Sequence, residues 1–138
     1  MDERSICLDT SVLIAFLKGR EPGAAAVEKA VREQTCFVTA IAVYELLFGM
    51  ARAAKRIGED ELLGGMTVLA LDNAAASRAA LLHDELIRRN QDIGVKDVLI
   101  AAICLTHDTP LLSLNERHFS RVSGLQVVTP ASFLATSI

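Results

Sequence analysis

The chain of 138 residues reads as an α/β domain, with helices flanking a short, mostly parallel central sheet. Three observations predict it. Short β-prone apolar runs alternate with longer Ala- and Leu-rich stretches at helical spacing, the pattern of strand–helix–strand units. Gly and Pro punctuate these runs without forming a linker, a repeat or a low-complexity tract. The length fits one domain, so residues 1–138 are expected to form a single unit.

Each element has a local reason. Ser5–Leu8 is a short buried strand that ends at Asp9. Thr10 and Ser11 can cap a helix over Val12–Leu17, which Gly19, Pro22 and Gly23 break. Ala24–Gln34 is Ala-rich with charges on one face and predicts a second helix. Cys36–Val38 is strand-like. Thr39 is a natural N-cap for the helix that carries Glu45, which either stops near Gly49 or runs on through the basic segment Arg52–Arg56. Gly58 and the Gly64-Gly65 pair read as turns. Thr67–Leu71 is strand-like, and Asp72 or Asn73 caps a long helix over Ala74–Asn90, with Ala79, Leu82 and Leu86 on one face. Gly94 precedes Val95–Leu105, a helix apolar all round. Leu111–Ser113 and Gln126–Val128 are the last strands, and Pro130–Leu134 is a terminal helical turn.

Composition narrows the function classes. Hydrophobic residues make up 51% and aromatics only 4%, so the core is aliphatic and base-stacking platforms are scarce. The longest uninterrupted apolar run, Val98–Leu105, is too short to cross a bilayer. Met1-Asp2-Glu3-Arg4 lacks the basic-then-apolar layout of a secretory signal. A soluble cytoplasmic protein without a membrane partner is the expectation. The net charge of −3 argues weakly against bulk attraction to nucleic acid, and local basic patches can still act. Cys7, Cys36 and Cys104 are odd in number, lack C-x-x-C spacing and lie in apolar elements. Buried reduced thiols are expected of them.

Three carboxylates stand where burial is costly. Asp9 follows an apolar strand, Glu45 lies inside an apolar helix, and Asp97 immediately precedes Val98–Leu105. In open α/β sheets, ligands gather beyond the carboxyl ends of the strands, and all three acids can lean over that edge if the sheet is parallel. Oxygen donors of this kind suit Mg²⁺ or Mn²⁺, and no His or Cys pair offers a zinc site. Three acids hold one ion firmly, whereas a second needs substrate phosphate as a ligand. Each acid also has a plainer reading: Asp9 as a helix cap, Asp97 as a first-turn dipole partner, Glu45 as a solvated helix position. Order and spacing together favour the metal site. Lys96, beside Asp97, can reach phosphate. Lys55, Arg56, Arg88 and Arg89 read as solvated charges, and His83 and His107 as surface residues. Asn115 suits a turn as well as a site, and His118 reads as surface or half-buried.

Four segments in order carry a family resemblance: Leu8-Asp9-Thr10-Ser11-Val12-Leu13-Ile14, Tyr44-Glu45-Leu46, Val95-Lys96-Asp97-Val98-Leu99-Ile100-Ala101-Ala102, and Leu112-Ser113-Leu114-Asn115 with His118-Phe119. They resemble the ordered motifs of PIN-domain ribonucleases, and most of all the VapC-type toxins of toxin–antitoxin pairs. The resemblance covers nearly the whole chain. It implies a Mg²⁺- or Mn²⁺-dependent endoribonuclease in which Asp9, Glu45 and Asp97 are the metal-binding, catalytic acids. Ser11 and Ser113 match the hydroxyl positions near the metal. It further implies a homodimer and a small antitoxin whose helix fills an apolar groove, for which Leu46, Leu47, Phe48 and Met50 are candidate lining. The chain departs from the pattern in the last motif. Asn115 follows Ser113, and His118 stands where an Asp often precedes the Phe; Glu116 is a weaker substitute. Two other functions stay open: a PIN-fold binding module that has lost the chemistry, and an aspartate-based phosphotransfer or phosphatase domain. The latter lacks the second Asp that a phosphatase wants at position 11, which is Ser11.

Overall fold

The computed structural model describes residues 4–136; Met1–Glu3, on which the leader-peptide expectation rests, lie outside the described residues. Its strands are β1 (Ser5–Leu8), β2 (Thr35–Thr39), β3 (Thr67–Leu69), β4 (Leu111–Leu112) and β5 (Val127–Val128). The helices are α1 (Thr10–Leu17), α2 (Gly23–Glu33), α3 (Ala40–Ala53), α4 (Glu59–Gly64), α5 (Asn73–Arg88), α6 (Val95–Thr106), α7 (Glu116–Phe119) and α8 (Pro130–Ala135).

The sheet order is β3-β2-β1-β4-β5, with every pairing parallel. β1 is the central strand, and all of its residues are buried, as expected for a strand covered on both faces. Its side chains alternate. Ile6 and Leu8 face a core formed with Val12, Leu13 and Val27 of α1 and α2. Cys7 faces the other core, with Ile100, Ile103 and Cys104 of α6. The result is a helix–sheet–helix sandwich.

The strand order reverses direction beside β1. From β1 the chain proceeds outward to β2 and β3, then returns to β4 and β5 on the opposite side. Such a switch point opens a crevice at the carboxyl ends of the two diverging strands, here β1 and β4. The register Leu8↔Leu112 sets the two strand ends level, so the next residues, Asp9 and Ser113, become neighbours.

Some local expectations shift. β3, β4 and β5 are shorter than their apolar runs, because their pairing extends over only two or three residues. Asp72 caps α5, accepting from Ala75 N at 2.9 Å. α3 continues past Gly49 to Ala53, and Ala54 ends it in the left-handed region. α4 and α7, of six and four residues, are too short to show an apolar periodicity in the sequence. His83 and His107 are half-buried rather than superficial, and His83 Nε2 meets Asp92 Oδ1 at 3.0 Å. Among the described residues no helix is long and apolar enough to cross a membrane.

Gly23 is fixed by close packing. A Cβ there would lie 2.6 Å from the Cβ of Ala15, where α2 crosses α1. Both atoms are stiffly attached, so the helices must separate. Gly23→Ala is expected to destabilise the fold by about 1–3 kcal/mol, despite the better helix propensity of Ala. Urea unfolding of the variant checks this; unchanged or raised stability would show that the two helices are not held at that distance.

Candidate functional site

Asp9 occupies the N-cap position of α1, yet its side chain makes no capping hydrogen bond. The carboxylate turns instead into the switch-point crevice, where it is only 4% exposed. Ser113 Oγ donates to its Oδ2 at 2.7 Å and Ser11 Oγ donates to the same oxygen at 2.8 Å. Each hydroxyl then accepts from a backbone N–H, Asn115 N to Ser113 Oγ at 2.8 Å and Leu114 N to Ser11 Oγ at 3.0 Å. With both hydroxyl protons spent on Asp9, the 3.4 Å approach of the two serine oxygens is a contact of neighbours.

Asp97 lies in the first turn of α6. Gly94, at φ +89°, makes the entry into that helix. Val98, Ile100 and Cys104 are buried in the core and hold the helix against the sheet. Asp97 Oδ2 accepts from Asn115 Nδ2 at 3.2 Å and lies 2.9 Å from His118 Nδ1. Burial pushes the carboxyl of Asp9 above its ordinary value, the negative charge of Asp97 adds to this, and the two serine hydroxyls oppose it. Asp9, Asp97, Ser11, Ser113 and Asn115 therefore form one continuous polar cluster.

Glu45 is held at one side of it. It lies on α3, which Thr39 starts by accepting from Ala42 N at 3.1 Å. Thr10 Oγ1 donates to Glu45 Oε1 at 2.8 Å, and Lys96 Nζ lies 3.8 Å from Oε2. Among the described residues no three His, Cys, Asp or Glu side chains form a group that could hold a metal ion. The expected compact shell of three acids is thus looser: Thr10 links the Asp9 segment to Glu45. Each carboxylate has donors of its own: the two serines at Asp9, Thr10 at Glu45 and Asn115 at Asp97.

Thr10 and Ser11 were expected to cap α1; they serve Glu45 and Asp9 instead. Thr10 as the partner of Glu45 and His118 as the partner of Asp97 had no signal of their own in the sequence. Adjacency to Asp9 and to the buried Phe119 was the nearest hint.

Residues 6–125 match the family of the PIN domain. The chain belongs to the PIN-domain family. It is 28% identical over 134 residues to Ribonuclease VapC1 of Rickettsia felis, an alignment spanning 92% of this chain and 97% of that one. It is 32% identical over 121 residues to Ribonuclease VapC10 of Mycobacterium tuberculosis, spanning 88% and 90%. Its fold is similar to that in the structure of VapBC-1 from nontypeable Haemophilus influenzae, with a TM-score of 0.78 at 20% identity over 92% of this chain and 98% of that one. The PIN-domain, VapC-like resemblance carried by the four motifs is borne out, as is the α/β class.

The donor chemistry of this PIN domain suits a hard divalent cation. Carboxylate, hydroxyl and amide oxygens line the crevice, and a buried carboxylate with a second one beside it gains from a positive charge. Thiolates do not compete. Cys7, Cys36 and Cys104 are buried and free. Burial raises Cys36 to about 11, and a hydrogen bond with Cys104, together with burial, raises Cys7.

The raised carboxyl of Asp9 has a consequence for stability. Its proton is held more tightly in the folded chain than in the unfolded one. The stabilisation this brings is complete below the ordinary value of 3.8 and is lost as pH rises through the higher folded value. Asp92 and Glu59 act in the opposite sense. The Gly94 N–H holds Asp92 low, and the Ile57 N–H does so for Glu59. Their effects cancel in a difference between wild type and Asp9→Asn. In EDTA-treated protein, the stability of Asp9→Asn relative to wild type is expected to increase with pH above about 4 and then level off. A flat difference in urea unfolding from pH 3 to 8 would contradict it.

Proposed function

We infer that this chain is a divalent-metal-dependent endoribonuclease, using Mg²⁺ or Mn²⁺, and the toxin of a toxin–antitoxin pair. The observation that carries this reading is the hydrogen-bonded cluster that joins Asp9 to Asp97 through Ser113 and Asn115 at the switch point of a PIN domain, in a chain similar over most of its length to proteins named Ribonuclease VapC. Residues 1–138 act as one nuclease domain.

In this reading Asp9, Glu45 and Asp97 hold the cation. When bound, the cation lowers the pKa of a water and neutralises charge on the phosphodiester. The chain supplies the rest. Ser11 and Ser113 hold Asp9 by one oxygen, so the carboxylate does not rotate. Thr10 aims Glu45 toward the crevice. Lys96, which is 61% exposed, can exchange Glu45 for a phosphate of the RNA. One ion is held firmly; Asn115, in place of a fourth acid, offers an amide oxygen at most.

Partners follow from the same reading. An antitoxin helix fits a groove of about 540 Å³ beside Glu45, lined by Ile14, Leu17, Leu46 and Met50, with Lys18 and Lys55 at its rim. Leu47 and Phe48 are not part of that lining. Phe48 instead stacks on Tyr44 at 5.6 Å between ring centroids, both more than half exposed. That exposed pair suits the proposed homodimer. The protein acts in the cytoplasm, where its RNA is.

Incubation of purified protein with a panel of tRNAs and structured RNAs, with Mn²⁺ or with EDTA, tests the activity. Cleavage at discrete sites in Mn²⁺ alone is expected. Intact RNA under both conditions, with free, antitoxin-depleted protein, would overturn the reading.

A further inference from the structure

The corner of the site formed by the last motif holds a contact that the three acids do not explain. His118 Nδ1 and Asn115 Nδ2 lie 2.9 and 3.2 Å from the same oxygen, Asp97 Oδ2, and 3.1 Å from each other. An ionised carboxylate only accepts. The imidazole therefore carries a proton on Nδ1, and the Asn115 amide turns its NH₂ toward Asp97. The short approach of the two nitrogens results from two donors converging on one acceptor.

The two donors are themselves anchored. Phe119, the residue after His118, is fully buried in the core against α6. His118 N donates to Asn115 O at 3.1 Å, and Asn115 N donates to Ser113 Oγ, the hydroxyl that holds Asp9. Asp97 is 21% exposed and His118 39%, so water competes only partly for the contact. One hydrogen-bonded chain thus runs from Asp9 through Ser113 and Asn115 to Asp97 and His118.

We propose that His118 is a positioning residue for the nuclease: with Asn115 it clamps Asp97 by Oδ2, leaving Oδ1 outside the clamp. This rests on reading Asp9, Glu45 and Asp97 as the cation site. Donors that fix a liganding carboxylate set its orientation, and removing such a partner costs about 10- to 100-fold in metal affinity.

Mn²⁺ titration calorimetry on the full chain tests this, with paramagnetic resonance of the bound ion as a second readout. Wild type is expected to bind one Mn²⁺. His118→Ala is expected to bind it about 10- to 100-fold more weakly. His118→Asn places an amide nitrogen near the position of Nδ1 and is expected to recover most of the loss. His118→Gln places its nitrogen near Nε2 and is not. Circular dichroism checks that each variant is folded. Equal Mn²⁺ affinity in wild type and His118→Ala overturns the proposal, as does His118→Asn behaving like His118→Ala. A nitrogen hyperfine coupling that His118→Ala abolishes also overturns it, because the ring would then be a ligand. Asp9→Asn, run in parallel, separates the two levels. Binding lost there but kept in His118→Ala removes the role of His118 alone; no Mn²⁺ binding by wild type removes the site reading with it.

Discussion

Asp9→Asn is expected to lower metal-dependent RNA cleavage by about 10³-fold or more while making the metal-free protein more stable. The activity loss follows from removing a carboxylate that helps hold the cation. Cation stabilisation of transition-state charge is worth several kcal/mol, and each 1.36 kcal/mol is tenfold in rate. The stability gain has a separate origin. Asp9 is 4% exposed and close enough to Asp97 for their charges to interact. An amide of the same shape keeps an oxygen for Ser11 and Ser113 without the desolvation cost of a charge. A gain of about 0.5–2 kcal/mol, the size common for single stabilising substitutions, is expected. Asp97→Asn is expected to lose cleavage to a similar degree. Single-turnover cleavage assays and urea unfolding in EDTA measure both effects. Near-wild-type cleavage by either variant would remove that residue from the catalytic role; a less stable Asp9→Asn would show that the crevice accommodates the charge well.

Phe119→Ala is expected to cost about 3–5 kcal/mol, the range for emptying a fully buried aromatic site. Phe119 has no exposed surface and packs into the core that contains Ile103 and Val122. It is also the anchor of α7, a four-residue helix too short to stand alone. A domain of this size has only about 5–15 kcal/mol in total. The loss would therefore lower the melting temperature strongly and loosen Asn115 and His118 beside the acids. Leu81→Ala, at a side chain 76% exposed, is expected to stay within about 0.5 kcal/mol and serves as the control. A Phe119→Ala cost near that of Leu81→Ala would mean that α7 is not held by the core.

Asp9, Asp97 and the serines were legible in the sequence because each follows a strand end or opens a helix, places that apolar runs mark clearly; Glu45 was legible as an acid inside an apolar helix. Asp9 could still have been a cap. The absence of any capping bond from its side chain, and its turn toward Ser113 instead, is a property of the register between β1 and β4. His118 was half legible. Its position next to Phe119 is visible, but its contact with Asp97 crosses 21 residues of chain and no periodicity announces it. α4 and α7 escaped for a related reason, since helices of six and four residues are too short to show a repeating apolar face.

By itself, then, the sequence determined the α/β class, the long helices, the central strand and which carboxylates stand at strand and helix ends. Those features depend on local spacing and on burial that alternates or repeats within a few residues. Only the tertiary structure decided that Asp9 and Asp97 share one crevice, that Thr10 holds Glu45, and that His118 meets Asp97. Those contacts join residues between 21 and 104 positions apart. They depend on strand order and register, which the packing of two cores against one sheet fixes and no local pattern encodes.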